Sequence, residues 1–403
     1  MNLRHPWIVA ALLLVQASGA QEEDPGKSTR GQRAIPNLVA LPEGFVRYAK
    51  LPDGGTQPRL VPREGSITVL YFRAGAEGAG GDLWLTRTSD YGATFATGTL
   101  VNSHPGGVSA PQGLHGASID CDANGLAHVA WIRADPKPTL CYAREKAGGG
   151  FEEERMLGTP AGLGRTTGLL IDGTGQVCVF YAASAGEGAT ASRIWMLRTR
   201  DGSQFAEPVA VDEEGNGVSD QCAIAAHYDP ASKALYVMYR ANKPSAKKED
   251  KAPARNMHLL TSEDQAQTFT PSFVENWRLR SDPATNAALV QHGDVTMAAW
   301  DGLGEVYWTG IRRNEHKIRK PVTPRDDEHA FARSSAVVCG NDKDEVLLAW
   351  LERPRETPDA SPVICWQVWM LSNLAPIGSG QVPEAGVPPA VLTRPDGGFT
   401  IVY

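Results

Sequence analysis

Five arginines of this 403-residue chain lie at turns that precede or follow apolar segments. A guanidinium is a natural partner for a carboxylate, because its planar fork donates two parallel hydrogen bonds. Arginines that met in one mouth would therefore bind an acidic ligand; the alternative is that each pairs locally with an Asp or Glu. The five candidate substrate-binding residues are Arg59, Arg73, Arg165, Arg280 and Arg333.

One carboxylate near these arginines is a candidate catalytic acid or base. Glu77 is the only carboxylate within the loop AGAEGAGG (74–81), and the next one, Asp82, begins a strand pattern. Proton transfer requires an acid or base within hydrogen-bond reach of the reacting group. Glu77 is the catalytic candidate, although a glycine-rich loop positions a side chain loosely.

The segment TSDYGATF (88–95) combines Asp90, Gly92, Thr94 and Phe95. Its residue types predict a tight hairpin, in which an Asp side chain caps backbone N–H groups and a glycine permits an unusual backbone conformation. Degraded copies return at 262–269, at 199–205 and, most weakly, at 144–151. We predict a structural role for the retained residues, which are Asp264, Thr268 and Phe269, and Asp201, Gly202 and Phe205.

These segments belong to a longer repeat that must position them. A polar turn is followed by an apolar strand with an aromatic end, and the aromatic residues recur at intervals of 50 to 61 positions. Four short antiparallel strands in each repeat are typical of a propeller blade. The seven aromatic strand ends are Tyr71, Trp131, Tyr181, Tyr239, Trp300, Trp350 and Tyr403.

The repeat predicts an all-β fold, a single propeller of seven blades with six as the alternative. The last repeat stops after two strands at Tyr403. Segment 36–51 has the pattern of two strands around the turn Pro42-Glu43-Gly44. We expect its strands to complete the last blade, because pairing the two chain ends closes the ring and removes an exposed sheet edge.

TSDYGATF resembles the Asp box of the sialidase-like (BNR repeat) β-propeller superfamily, and the likeness covers the repeats along the chain. Segment 58–95 is similar to the first blade of sialidases, with Arg59 at the first arginine and Arg73 at the second. The proline after the first arginine is displaced to Pro62, and no motif assigns the tyrosine nucleophile or its glutamate partner. Tyr228, Tyr307 and Tyr403 remain open for that role.

The resemblance implies a substrate mouth on the face opposite the hairpins, and a protein that acts on or binds extracellular glycans. If the protein is an enzyme, the resemblance implies an exo-glycosidase for acidic sugars. The alternative is a non-catalytic propeller that serves as a protein- or glycan-binding module or as an envelope scaffold, since a fold does not fix a function.

Residues 1–20 predict a cleavable signal peptide and thus a secreted or periplasmic protein without a membrane anchor, because an apolar run follows Arg4 and small residues end the segment. Residues 21–35 predict a disordered leader, and 36–403 the propeller. A net charge of −7 argues against nucleic acid as a partner. No motif predicts a cofactor or metal, a protein partner stays open, and six cysteines leave disulfide pairing open.

Overall fold

The computed structural model describes residues 41–75, 80–109, 116–134, 136–186, 192–212, 217–243, 253–275, 282–313, 317–324, 330–382 and 385–403. The predicted signal peptide and leader lie outside these ranges and stay predictions. In the part of the chain that is described, no helix has the length and apolar character that crossing a membrane requires.

The chain forms seven β-sheets, which are the blades of a propeller. Blades 1 to 6 have four antiparallel strands each, so the predicted seven-bladed propeller is confirmed. Blade 1 contains β2 (Thr56–Arg63), β3 (Ser66–Ala74), β4 (Gly81–Thr88) and β5 (Thr99–Leu100). Blade 2 contains β6 (Ser118–Cys121), β7 (Ala127–Arg133), β8 (Thr139–Arg144) and β9 (Arg155–Gly158). Blade 3 contains β10 (Thr167–Ile171), β11 (Val177–Ser184), β12 (Ser192–Thr199) and β13 (Val209–Ala210).

The remaining blades follow in chain order. Blade 4 contains β14 (Ala225–Asp229), β15 (Ala234–Arg240), β16 (Met257–Ser262) and β17 (Thr270–Glu275). Blade 5 contains β18 (Ala287–His292), β19 (Val295–Gly302), β20 (Glu305–Arg312) and β21 (Lys317–Ile318). Blade 6 contains β22 (Phe331–Gly340), β23 (Glu345–Pro354), β24 (Val363–Met370) and β25 (Ala375–Val382). Blade 7 contains β26 (Ala390–Thr393), β27 (Phe399–Val402) and β1 (Val46–Ala49).

The core is divided among seven apolar clusters, one between each pair of neighbouring blades. Each second strand is covered on both faces, which explains its nearly continuous apolar sequence. In β15, for example, every residue is buried. The first strand of each blade adds an apolar residue at the same register level to the cluster shared with the preceding blade. These residues are Leu60, Ile119, Leu169, Ala226, Leu289, Val338 and Val391.

The two ends of the propeller domain close the ring, but not in the predicted antiparallel form. Strand β1 pairs parallel to β27, with Val46 opposite Phe399. The direction has a topological cause: the chain must reach the face where β2 begins, so β1 runs the same way as β27. Arg394 secures this closure by donating hydrogen bonds to the carbonyl oxygens of Gly44, at 2.8 Å, and Phe399.

A tight turn precedes β1, as the sequence predicts, with Phe45 N–H donating to the Pro42 carbonyl at 3.0 Å. The first strand of the predicted hairpin falls before residue 41, outside the described residues. Blade 7 therefore has three described strands. All six cysteines are buried, and no disulfide joins any of them within the part of the chain that the structure describes.

The hairpin after β4 is held by the side chain of Asp90. Its carboxylate accepts hydrogen bonds from the Thr94 N–H at 2.8 Å, the Thr94 hydroxyl at 2.6 Å and the Thr88 hydroxyl at 2.7 Å. These bonds, led by that of the Thr94 hydroxyl, lower the pKa of Asp90 to about 2. Asp90 is thus occupied within its own turn.

The two degraded hairpins repeat this geometry. Asp264 accepts the Thr268 N–H at 2.9 Å, and Asp201 accepts the Ser203 N–H at 2.8 Å. Their aromatic residues pack against the preceding blade, Phe205 on Tyr142 and Phe269 on Phe180, with ring centroids 5.1 and 6.2 Å apart. Each hairpin therefore fastens its blade to the one before it.

Replacing Gly92 with alanine should destabilise the propeller, because Gly92 has φ +90° and a Cβ there would lie 2.7 Å from the Ala49 Cβ. We expect Gly92→Ala to lower the free energy of unfolding by about 2 kcal/mol in urea titrations. The matched control is Ala266→Gly, at the equivalent position with φ +63°. Relief of backbone strain there offsets the loss of a buried methyl group, so we expect a change within about 1 kcal/mol. Equal effects of the two changes would contradict this account.

Candidate functional site

The mouth is defined here as the propeller face where each first strand begins and each second strand ends. The capped hairpins lie on the other face, because third strands run away from the mouth. The described side chains of the mouth fall into two groups. Some charged groups form hydrogen bonds or ion pairs with other described residues, and a few do not.

Arg59 belongs to the unsatisfied group. It lies on β2 opposite Leu70 and lines a narrow crevice between blades 1 and 2. The other lining residues are Gln57, Leu70, Tyr71, Phe72, Leu83, Val108, Ser109, Gly116 and Ala117. The buried Nε of Arg59 has no hydrogen-bond partner among the described residues. Burial lowers the pKa of Arg59 to about 10, so the guanidinium is still charged at neutral pH.

Arg73 is engaged by its surroundings. Its guanidinium lies 3.4 Å from the carboxylate of Asp53 and 4.6 Å from the centre of the Trp84 ring. Asp82, the register partner of Arg73, accepts hydrogen bonds from the Asn102 side chain at 2.9 Å and from the Gly106 N–H at 2.7 Å. Arg73 and Asp82 therefore shape the mouth beside Arg59 while bound to protein groups.

Arg165 and Asp220 are exposed side chains of the loops that enter blades 3 and 4. Neither forms a hydrogen bond or ion pair with another described residue. They leave one positive and one negative group available to a ligand. Glu77 and Arg280 lie outside the described residues, so their proposed roles stay predictions.

Arg333 is buried and bonded to two carboxylates. It donates to Glu352 at 3.0 Å and to Glu305 at 2.8 Å, and the Trp350 indole N–H also donates to Glu352 at 3.1 Å. Because its donors are taken, we leave Arg333 out of the proposed ligand site and assign it to the packing of blades 5 and 6.

Sequence reasoning missed a second buried arginine cluster. Arg240, the last residue of β15, and Arg255, two residues before β16, both contact the carboxylate of Asp282. Arg240 also donates to the Ser219 hydroxyl at 2.9 Å and the Pro283 carbonyl at 2.6 Å. One feature of the sequence could have predicted the position of Arg240 at the mouth. Like Arg73, it lies at the end of the apolar second strand of its blade.

Asp301 is a buried carboxylate at the end of β19 that sequence reasoning also missed. Its oxygens accept hydrogen bonds from the backbone N–H of Asn286, at 2.7 Å, and of Ser335. Burial raises the pKa of Asp301 to about 7, and these bonds and the charge of Arg240 oppose the shift. Asp301 joins the entry segments of blades 5 and 6.

The tyrosines considered as nucleophiles occupy different places. Tyr307 stacks on the Trp300 ring with centroids 5.7 Å apart. Tyr228 lies near the end of β14 away from the mouth, and the backbone of Tyr403 pairs with Ala49 and Leu51 in the ring closure. These placements do not select one of them for catalysis.

No protein-family model matches the chain, and no curated protein is significantly similar to it in sequence. Solved structures are similar in fold. One is the GH93 α-L-arabinofuranosidase of Fusarium graminearum in complex with arabinobiose, with a TM-score of 0.54 and 10% identity over 79% of this chain and 94% of that one. Another is the Penicillium chrysogenum α-L-arabinanase with arabinobiose, with a TM-score of 0.51 and 10% identity over 81% and 96%.

The NanB sialidase of Streptococcus pneumoniae also matches, with a TM-score of 0.45 and 11% identity over 86% of this chain and 64% of that one. At these identities the comparisons establish the fold: the chain is a seven-bladed β-propeller whose structural neighbours are glycoside hydrolases.

Replacing Arg59 with methionine should stabilise the protein, since it removes a half-buried charge that has no partner among the described residues. We expect the free energy of unfolding in urea to rise by about 1 kcal/mol. Arg333→Met is the matched control, because it leaves Glu305 and Glu352 without their cation and should cost about 3 kcal/mol. A loss of stability in Arg59→Met as large as in Arg333→Met would show that Arg59 is a structural residue.

Asp301 should give the protein a distinct pH dependence. Because its pKa is raised, the folded protein retains a proton between about pH 4 and pH 7 that the unfolded chain releases. The contribution of this group to the free energy of unfolding therefore falls as pH rises through that window. We expect the stability advantage of wild type over Asp301→Asn, measured in urea, to be larger at pH 5 than at pH 8. A difference independent of pH would contradict the assignment.

Proposed function

We propose that the mouth of this propeller binds a glycan through an acidic sugar whose carboxylate is held by Arg59. The observation that carries the proposal is the half-buried side chain of Arg59, which lines a crevice and whose buried Nε has no hydrogen-bond partner among the described residues. An uncompensated buried charge costs stability, so its retention is explained best by a ligand of opposite charge.

The wider mouth supports a saccharide ligand. Arg165 and Asp220 are exposed and unpaired, and Gln57 lines the same crevice as Arg59. Charged and amide groups of this kind match the carboxylate and hydroxyl groups of an acidic sugar. The two fungal neighbours carry arabinobiose, and an extension of saccharide binding to this chain is part of the proposal.

The hydrogen bonds of the described carboxylates favour a mouth that binds the glycan without hydrolysing it. Two carboxylates in general acid–base roles need freedom to exchange protons with the substrate. The buried or partly buried carboxylates of the described mouth are bonded to protein groups instead. They are Asp82, Asp212, Asp282, Asp301, Glu305 and Glu352.

Hydrolysis of the glycan is the second candidate function, with Glu77 as the catalytic acid or base. Residues 1–20 still predict export, which agrees with a function on extracellular glycans. A protein partner at the same mouth is a further alternative, since a fold does not carry one function.

Calorimetric titration with 3′-sialyllactose and with glucuronic acid tests the binding proposal, with lactose as the uncharged control. We expect at least one acidic saccharide to bind and lactose not to bind. Arg59→Met should weaken binding by about 10- to 100-fold, the equivalent of a lost charged hydrogen bond. Absence of binding by both acidic saccharides, or binding indifferent to Arg59→Met, would overturn the proposal.

The same preparations separate binding from catalysis. We expect no hydrolysis of a fluorogenic sialoside or glucuronide above the level seen with Glu77→Gln. Turnover that Glu77→Gln abolishes would establish the glycosidase alternative, with Glu77 as its acid or base.

A further inference from the structure

The partly exposed lining of the crevice between blades 1 and 2 is mostly polar. It consists of Ala117 and three polar residues, Gln57, Arg59 and Ser109. Gln57 and Arg59 belong to β2, whereas Ser109 belongs to the segment between β5 and β6. The side chains of Gln57 and Ser109 form no hydrogen bond with another described residue. Polar groups from two segments of the chain thus meet at one opening, where a ligand can reach them.

Arg59 lies at a register level where the other first strands have small or apolar side chains. This level is opposite the residue that precedes each aromatic strand end, as Arg59 is opposite Leu70. The residues of the other first strands at this level are Ser118, Gly168, Ala225, Ala288, Val337 and Ala390. Packing between neighbouring blades therefore requires no charged side chain at this level.

The buried lining of the crevice is apolar, and the space inside is small. Leu70, Leu83 and Val108 line the crevice and belong to the apolar cluster between blades 1 and 2. The cavity volume is about 10 Å³, which is the space that one water-sized group needs. The crevice therefore admits an oxygen of an anionic group, while a sugar ring must stay outside it.

A β-bulge places Gln57 at this crevice. Gln57 and Pro58 lie opposite the single residue Tyr71, and Gln57 has φ +55°. Bulges are frequent beside functional sites because they redirect a side chain. A residue with a Cβ is strained at this φ, so the position of Gln57 is maintained at a cost in stability.

The backbone on either side of the crevice fixes Ser109. Its N–H donates to the carbonyl of Ile132 in blade 2 at 2.9 Å. The N–H of the preceding residue, Val108, donates to the carbonyl of Gly81 in blade 1 at 3.0 Å. Ser109 is therefore attached to both blades that form the crevice, which gives its hydroxyl a rigid support.

We propose that Gln57 and Ser109 complete a carboxylate pocket around Arg59, and that this pocket selects sugars with a carboxylate over sugars with a sulfate or phosphate ester. This inference rests on the proposed function and specifies the anion and the residues that recognise it. A carboxylate has about four lone-pair sites for hydrogen bonds. The guanidinium donates to two of them, and the amide of Gln57 and the hydroxyl of Ser109 donate to the others.

Charge and shape both favour a carboxylate in this pocket. Arg59 is the one charged residue of the described lining, so it compensates a single negative charge. A phosphate ester carries about −1.5 to −2 at neutral pH, which leaves part of its charge uncompensated. A sulfate ester carries one charge but ends in a pyramid of oxygens, which is wider than a planar carboxylate and does not fit a space for one water-sized group.

The first test replaces Gln57 with glutamate, which places a carboxylate of the protein in the crevice of Arg59. Gln57→Glu should unfold at a higher temperature than wild type, because the new carboxylate pairs with the guanidinium. The same carboxylate should compete with the ligand and raise Kd for 3′-sialyllactose or glucuronic acid about tenfold or more in calorimetric titrations.

Gln265→Glu is the matched control. Gln265 is exposed, has φ +59° and lies in a hairpin on the face away from the mouth. It should keep the wild-type Kd. Ser109→Ala should raise Kd about three- to tenfold, as expected for one neutral hydrogen bond, without lowering the unfolding temperature. Wild-type Kd in both Gln57→Glu and Ser109→Ala, with binding still weakened in Arg59→Met, would overturn the pocket and leave the proposed function standing.

The second test compares anions at the same position of one sugar. Glucuronic acid is titrated beside glucose 6-sulfate and glucose 6-phosphate, and 3′-sialyllactose beside lactose 3′-sulfate. We expect each ester to bind at least about tenfold more weakly than its matched carboxylate. An ester that binds wild type as tightly as the carboxylate would overturn the selection and leave Arg59 as a general anion site. Failure of both carboxylates to bind wild type would overturn the proposed function and this inference together.

Discussion

The pairing of β1 with β27 is the constraint on which the rest of the structure depends. Each blade is buried on both faces by its neighbours, so a ring of blades leaves two apolar faces exposed unless its ends meet. The parallel pairing from Val46 to Ala49 and the hydrogen bonds of Arg394 join those ends. The seven apolar clusters and the common mouth of the first strands exist only in the closed ring.

The arginines of the propeller differ in whether a carboxylate of the protein lies beside them. The buried arginines Arg240 and Arg333 are paired with carboxylates of the same or a neighbouring blade, and Asp90, Asp201 and Asp264 form hydrogen bonds within their own turns. Arg59 differs, because the other described residues that line its crevice are uncharged and include no carboxylate. Because Arg240, Arg255 and Arg333 each have a carboxylate partner, the contrast supports an external acidic partner for Arg59.

Backbone strain in the first strands is also confined to a few blades. The paired residues of five first strands have regular register, whereas β2 of blade 1 and β22 of blade 6 each contain a β-bulge. Gln57 and Ser335 have positive φ at the entries of blades 1 and 6, where glycine would be less strained. Stability is given up at these two positions of the mouth, and natural proteins commonly accept such a cost near functional sites.

The sequence by itself determined the all-β class, the seven repeats and the hairpin role of Asp90, because strand alternation, aromatic strand ends and turn residues are local signals. It also placed Arg59 at the mouth. Only the tertiary structure decided that Arg59 has no partner among the described residues while Arg333 has two, and that Asp301 joins the entry segments of blades 5 and 6. Whether a charge is paired depends on residues that are distant in the chain, such as Glu305 for Arg333, and no local pattern records that contact. The parallel direction of β1 likewise follows from the closed ring and not from its own four residues.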